Sequence, residues 1–175
     1  MKLNLGCGND KKQGYINIDS SKKVKPDKVW NLEKTPLPFK ANSVEKILAF
    51  HVLEHINNFI PLMHDLHRIC KKEAVIKIRT PFYSAWGQFN DPTHVRFFSP
   101  FTFDYFKKGA YSHEVNVQKD MFEVRKVKIN FGIGRGSILN WFFNPLLNLN
   151  HKFYCRFFAW ILPASEIRYE LIVLK

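Results

Sequence analysis

Leu3-Asn4-Leu5-Gly6-Cys7-Gly8-Asn9, followed by Tyr15-Ile16-Asn17-Ile18-Asp19, is the stretch on which the fold turns. The first run is a short apolar strand closed by a Gly-x-Gly turn, and the second is another short strand that ends in a carboxylate. Without Cβ atoms, Gly6 and Gly8 let a nucleotide-like ligand approach the backbone closely. Asp19 stands where a carboxylate accepts both hydroxyls of a ribose lying over the glycine loop. Each feature has a plainer reading, since Gly-x-Gly is often only a tight turn and Asp19 beside Ser20 and Ser21 is by itself a turn residue. Asp19 follows Gly6 by 13 positions, short of the spacing of about 20 in a dinucleotide fingerprint, and the third glycine of that fingerprint is absent. NAD binding is therefore disfavoured.

Outward from this stretch, Val29 to Leu32 forms a third strand, Pro36-Leu37-Pro38-Phe39 a loop, and Lys46 to Phe50 a fourth strand. Apolar residues Phe59, Leu62, Met63, Leu66, Ile69 and Cys70 recur at three and four, which predicts an amphipathic helix from Phe59 to Lys72. Ala74 to Ile78 is a β-branched strand, Asp91-Pro92 a turn, Ser99 to Lys108 a helix, and Phe122 to Asn130 and Arg168 to Leu174 the last strands. Strands alternating with helices predict an α/β fold, a doubly wound three-layer sandwich with a mainly parallel sheet and an antiparallel terminal strand. One domain spans residues 1–175, with the aromatic-rich part 132–167 an insertion or cover. Within it, Ile138 to Leu162 carries too few charges for a membrane-surface helix and is expected as one or two helices over an end of the sheet.

Hydrophobic residues make up 46% of the 175, yet none of the apolar stretches is long and charge-free enough to span a bilayer. Met1-Lys2-Leu3-Asn4 is no signal peptide. Three cysteines, Cys7, Cys70 and Cys155, at wide spacing exclude a disulfide framework and a zinc ribbon and suit a reducing cytoplasm. The net charge of +12 with pI near 9.7 allows nucleic acid as a partner. No RNA-binding motif supports that, and the basic residues are scattered along the chain, as on a solubilising surface.

The motifs continue in order through Leu37-Pro38-Phe39 with Ser43, His51-Val52-Leu53-Glu54-His55, Asp91-Pro92-Thr93-His94 with Arg96-Phe97-Phe98, and Phe103-Asp104-Tyr105-Phe106. Together the sequence resembles class I methyltransferases, and more narrowly a branch of small prokaryotic members associated with surface-glycan assembly. The resemblance covers most of residues 3 to 106 and, loosely, Pro163 to the end. It implies a Rossmann-like methyltransferase fold and S-adenosylmethionine as cofactor, with a sugar or glycan hydroxyl or a small molecule as acceptor. It places Gly6, Cys7 and Gly8 against the methionine part, Asp19 on the ribose, Asn31 and Leu32 at the adenine, and Phe50 and His51 near the sulfonium. Asn31 departs from the acidic residue usual there, though its carbonyl still accepts from the adenine amine.

Two further departures concern the cover of the cofactor. Only six residues separate Gly8 from Tyr15, too few for the usual crossover helix. The helix that precedes the first strand in many relatives is expected to be missing. These departures and the charge leave a noncatalytic or partner-dependent methyltransferase-like module as the alternative.

On the acceptor side, the loop carrying Asp91 and His94 presents a carboxylate and an imidazole to a hydroxyl, with Asp91 orienting His94 as base. Thr80-Pro81-Phe82-Tyr83 follows the wrong strand for an amino-methylating signature, so Phe82 and Tyr83 are expected to line the acceptor side. His51-Val52-Leu53-Glu54-His55 also spells the H-x-x-E-H of inverted zinc peptidases. That reading needs both histidines on one helix and a distant third ligand, and His64, Asp65 and His67 lie too near in sequence. No metal is expected, and His55 is expected to pack on a loop.

Overall fold

The computed structural model describes residues 1–107 and 120–175. Seven strands form one sheet: β1 (Lys2–Leu5), β2 (Ile16–Asp19), β3 (Lys28–Val29), β4 (Val44–Phe50), β5 (Cys70–Pro81), β6 (Phe122–Asn130) and β7 (Glu166–Val173). The spatial order is β3-β2-β1-β4-β5-β7-β6. The first five in sequence run parallel, while β7 lies antiparallel between β5 and β6. The α/β class, the mainly parallel sheet and an antiparallel last strand are thus as the sequence predicts.

Local boundaries differ where pairing overrides pattern. Helix α1 (Phe59–Ile69) stops short of Lys72 because Cys70 already pairs with Val44 as the first residue of β5. Val29 to Leu32 yields only the two-residue β3. The helix expected over Ser99 to Lys108 is a 3₁₀ turn at Thr102–Phe106, with Lys108 itself outside the described residues. Its buried side chains, Phe103 and Phe106, are three apart, the spacing at which a 3₁₀ helix stacks side chains on one face. Helix α2 (Trp86–Asn90) was not expected, having only five residues. The short link from Gly8 to Tyr15 is built of turns, without a helix.

Burial alternates along β5 and β7. Ile76, Ile78, Ile167, Tyr169 and Leu171 are buried with the apolar stripe of α1, whereas Lys77, Arg79, Arg168 and Glu170 on the other face stay partly exposed. Such alternation marks strands covered on one side. With Phe50, Lys126 and Lys128, these residues line an open cavity of about 290 Å³. Basic residues scattered in sequence therefore gather in space, because alternate positions of three neighbouring strands share a face.

Residues 132–167 add α3 (Asn140–Leu149) and α4 (His151–Phe157). Asn140, Asn144 and Asn148, four apart on α3, turn their amides to the open edge of the sheet. Asn148 Oδ1 accepts from Ile129 N (2.8 Å) and its Nδ2 donates to Ile129 O (2.7 Å). Asn144 Oδ1 accepts from Phe131 N, and Asn140 pairs both ways with Gly132. The helix so satisfies backbone groups that an edge strand would otherwise leave open. Among the described residues no helix is long and apolar enough to cross a membrane.

Candidate functional site

Strand order reverses at β1: the chain moves from β1 out to β2 and β3, then returns to β4 on the other side. In open α/β sheets ligands bind in the crevice at such a switch point, beyond the carboxyl ends of the strands. A cleft of about 430 Å³ opens there, and Gly6, Gly8, Asp19, Asn31, Leu32 and His51 all line it. Phe50 does not; it points to the opposite face, where the Arg79 guanidinium lies 4.4 Å from its ring centre. Cys7 is buried beneath the loop, its N–H donating to Ile18 O, and burial pushes its thiol up.

The two glycines serve different ends. Gly6 has φ +59°, and a Cβ there would stand 2.4 Å from Val52 Cγ2, so a neighbouring side chain fills the space the missing atom leaves. Gly8 has φ +48° and nothing within 4 Å of the Cβ position, leaving its backbone open. Asp19 fixes this loop: Oδ2 accepts from Gly8 N (2.9 Å) and Oδ1 from Ser21 N (2.8 Å). Each oxygen keeps a second lone pair for a further donor. Asn31 Oδ1 accepts from Glu33 N (2.9 Å), so one of its lone pairs is already engaged.

Trp30, Ser20, Glu33 and His55 also line the cleft and were not anticipated there. Trp30 is held by Nε1 donating to Lys34 O, a contact within a loop that carries no periodic signal. Glu33 binds the backbone N–H groups of Asn57 (2.7 Å) and Asn58 (2.9 Å) ahead of α1. Burial would raise its carboxyl, but these hydrogen bonds outweigh it and hold the group below the usual range.

His51 sits at φ 51° with its N–H donating to Arg79 O. Nε2 lies 3.0 Å from Glu166 Oε2 and Nδ1 3.4 Å from Glu54 Oε1. The Glu166 carboxylate, then that of Glu54, pushes the imidazole up to about 9 against the effect of burial. Burial pushes Glu166 upward, yet His51 and Arg168 together bring it down to about 2. His51 is thus an imidazolium at neutral pH and no free base.

Leu53–His55 is a single 3₁₀ turn, so His51 and His55 do not share the helix that the peptidase reading requires. His55 packs on the loop of residues 91–94, its ring 4.7 Å from that of His94. The Asp91 carboxylate does not hydrogen-bond the His94 ring, whose Nε2 lies 3.9 Å from Oδ2; its Oδ1 accepts from the N–H and hydroxyl of Thr93 instead. Phe82 is fully buried, a core residue and no lining of the acceptor side. Tyr83 does line an aromatic pocket of about 560 Å³ with Phe89, Phe97 and Trp160.

No family model matches the chain, and no curated protein matches it in sequence. Solved structures do match its fold. A SAM dependent methyltransferase from Archaeoglobus fulgidus superposes with a TM-score of 0.63 at 14% identity, over 98% of this chain and 85% of that one. An S-adenosylmethionine dependent methyltransferase from Mesorhizobium loti gives 0.55 at 14%, over 98% and 89%. The [4+2]-cyclase SpnF gives 0.61 at 11%, over 99% and 74%. The fold is the Rossmann-like one of S-adenosylmethionine-dependent methyltransferases, and the cyclase on the same fold means that the reaction must be argued from the site.

Proposed function

We propose that this protein binds S-adenosylmethionine in the cleft above Gly6 and Gly8 and transfers its methyl group to an acceptor hydroxyl on a sugar, a glycan or a small molecule. The observation that carries the reading is the convergence of Gly8, Asp19, Asn31, Leu32 and His51, from separate segments of the chain, on one cleft at the switch point. The residues suit the cofactor: the open backbone at Gly8 leaves room, the remaining lone pairs of Asp19 suit two ribose hydroxyls, and Trp30 offers an aromatic face. Bound S-adenosylmethionine supplies a methyl group already activated by the sulfonium, so alignment of the acceptor carries much of the rate.

Acceptor chemistry falls to the loop of Asp91 and His94 beside the cleft and to the aromatic pocket of Tyr83 and Trp160. His94 Nδ1 donates to Gln88 O (3.0 Å), which leaves the Nε2 lone pair free to take a proton or another electrophile. The unpaired thiols of Cys7, Cys70 and Cys155 fit a cytoplasmic setting.

Calorimetric titration with S-adenosylmethionine and S-adenosylhomocysteine tests the reading. Micromolar binding is expected, weakened at least tenfold in Asp19→Ala and less in Asp19→Asn, which keeps one acceptor oxygen. A folded wild type that binds neither compound overturns it.

A further inference from the structure

Glu54 is fully buried, and neither of its carboxylate oxygens accepts a hydrogen bond. An ionised group in that state is costly unless something cationic completes it. His51 offers only an ion-pair contact at 3.4 Å through Nδ1, while its Nε2 is committed to Glu166. His55 and His94 also stand near Glu54, and one ligand atom from each of the three lies within 4.8 Å of the others.

Hydrogen bonds fix both rings in the form a metal requires. Thr93 donates its hydroxyl proton to Asp91 Oδ1 (2.6 Å), so its oxygen must accept at 2.8 Å from His55 Nδ1–H. His94 Nδ1–H is likewise spent on the carbonyl of Gln88. Both rings therefore keep their lone pair on Nε2. A histidine whose other nitrogen donates to a carbonyl or to a carboxylate-backed group is the usual arrangement around a protein-bound metal. The Glu54 backbone reinforces the fit, since its carbonyl accepts from Val95 N (2.9 Å) and Arg96 N (3.2 Å) and ties the 91–96 loop to the turn of Leu53–His55.

We propose that Glu54, His55 and His94 bind a divalent transition-metal cation at the edge of the cleft. Two imidazoles and one carboxylate favour Zn²⁺ or Mn²⁺ over Mg²⁺, which prefers an all-oxygen shell. Three protein ligands leave coordination positions open. His55 lines the cleft, which sets the site at its edge. If the methyl-transfer reading holds, the cation would bind the acceptor oxygen and lower its proton affinity so that the hydroxyl proton is released to solvent water, and His94 would act as ligand in place of base. Cation binding itself does not rest on that reading.

Chelator-stripped full-length protein is titrated with ZnCl₂, MnCl₂ and MgCl₂ by calorimetry, with no methyl donor present, and its thermal unfolding is followed in parallel. The expected result is one equivalent of Zn²⁺ or Mn²⁺ at micromolar Kd or tighter, at least tenfold tighter than Mg²⁺. Saturation is expected to raise Tm by about 5 °C or more. His94→Ala and Glu54→Gln each weaken binding at least tenfold, and Asp91→Asn, which acts through Thr93, weakens it roughly tenfold. His67→Gln, at the opposite end of the parallel strands, leaves it unchanged. Should Glu54→Gln not fold, His94→Ala decides. Failure of the folded, metal-free wild type to bind, or undiminished binding in His94→Ala, overturns the proposal whether or not S-adenosylmethionine binds.

Discussion

Gly6 is where the turn after β1 meets the end of β4, and replacing it with alanine tests that contact directly. The added Cβ would lie 2.4 Å from Val52 Cγ2 and 2.6 Å from Val52 Cβ, at a residue held at φ +59°. Left-handed backbone costs a non-glycine residue about 1–2 kcal/mol. Overpacking adds about 1–3 kcal/mol, and here the clash includes a Cβ, which no rotamer change can move. A total near 3 kcal/mol corresponds to a fall in Tm of roughly 6–12 °C for a chain of this length. Gly8→Ala is the internal control: it meets the same backbone penalty at φ +48° but nothing within 4 Å, so it should lose only about half as much. In a Val52→Gly background both clashing atoms are gone, and Gly6→Ala should then cost no more than Gly8→Ala does. Thermal or urea unfolding of the four proteins in this cycle gives the coupling energy, expected at about 1–3 kcal/mol. Equal costs for Gly6→Ala in the two backgrounds would refute the reasoning.

The ion pair of Glu166 with His51 sets two pH limits. With Glu166 held down to about 2, its stabilisation is complete above the ordinary glutamate range and lost as pH falls toward 2; with His51 raised to about 9, the same pair is lost as pH rises through that value. Glu166→Gln should remove the acid slope, of order 3 kcal/mol, and move the His51 titration seen by NMR down by more than one unit; an unmoved midpoint near 9 would contradict the assignment. Asn148→Ala leaves Ile129 N–H and C=O without their amide partner and should cost about 1–3 kcal/mol in denaturant unfolding, while Asn150→Ala, which removes only an N-cap to Phe153, should cost about 1 kcal/mol. Trp30→Ala should weaken S-adenosylhomocysteine binding by roughly tenfold if its ring stacks on the adenine, and an unchanged Kd would exclude that contact.

The parts of this molecule that were legible in sequence are those governed by short-range chemistry. Strand-turn-strand around Gly6 and Gly8, the stripe of α1 and the alternation in β7 follow from residue type and period, and they suffice for the fold. Residues of the cleft carried by that same chemistry, Asp19 at a strand end and His51 after another, come together at the switch point. Phe50 fails for a definite reason. It is the last residue of β4 and its side chain lies on the sheet face it shares with Arg79, whereas His51 follows the strand at φ 51° and lines the cleft.

Long-range polar pairing was the illegible part. Glu166 reaches His51 across 115 positions of sequence, and the asparagines of α3 close the sheet edge from an aromatic segment whose pattern points only to packing. The same holds for Glu54, His55 and His94. His55 and Glu54 belong to a motif that spells a helical zinc site, whereas His94 belongs to a loop that reads as an acid-base pair with Asp91. What joins them is the backbone tie from Val95 and Arg96 to the carbonyl of Glu54, which brings the second motif onto the first. The geometry that defeats the peptidase reading, a 3₁₀ turn in place of a helix, also leaves the His55 ring against that of His94. A motif that fails on its own spacing can thus still supply ligands, once the fold provides the partner that its sequence neighbourhood lacks.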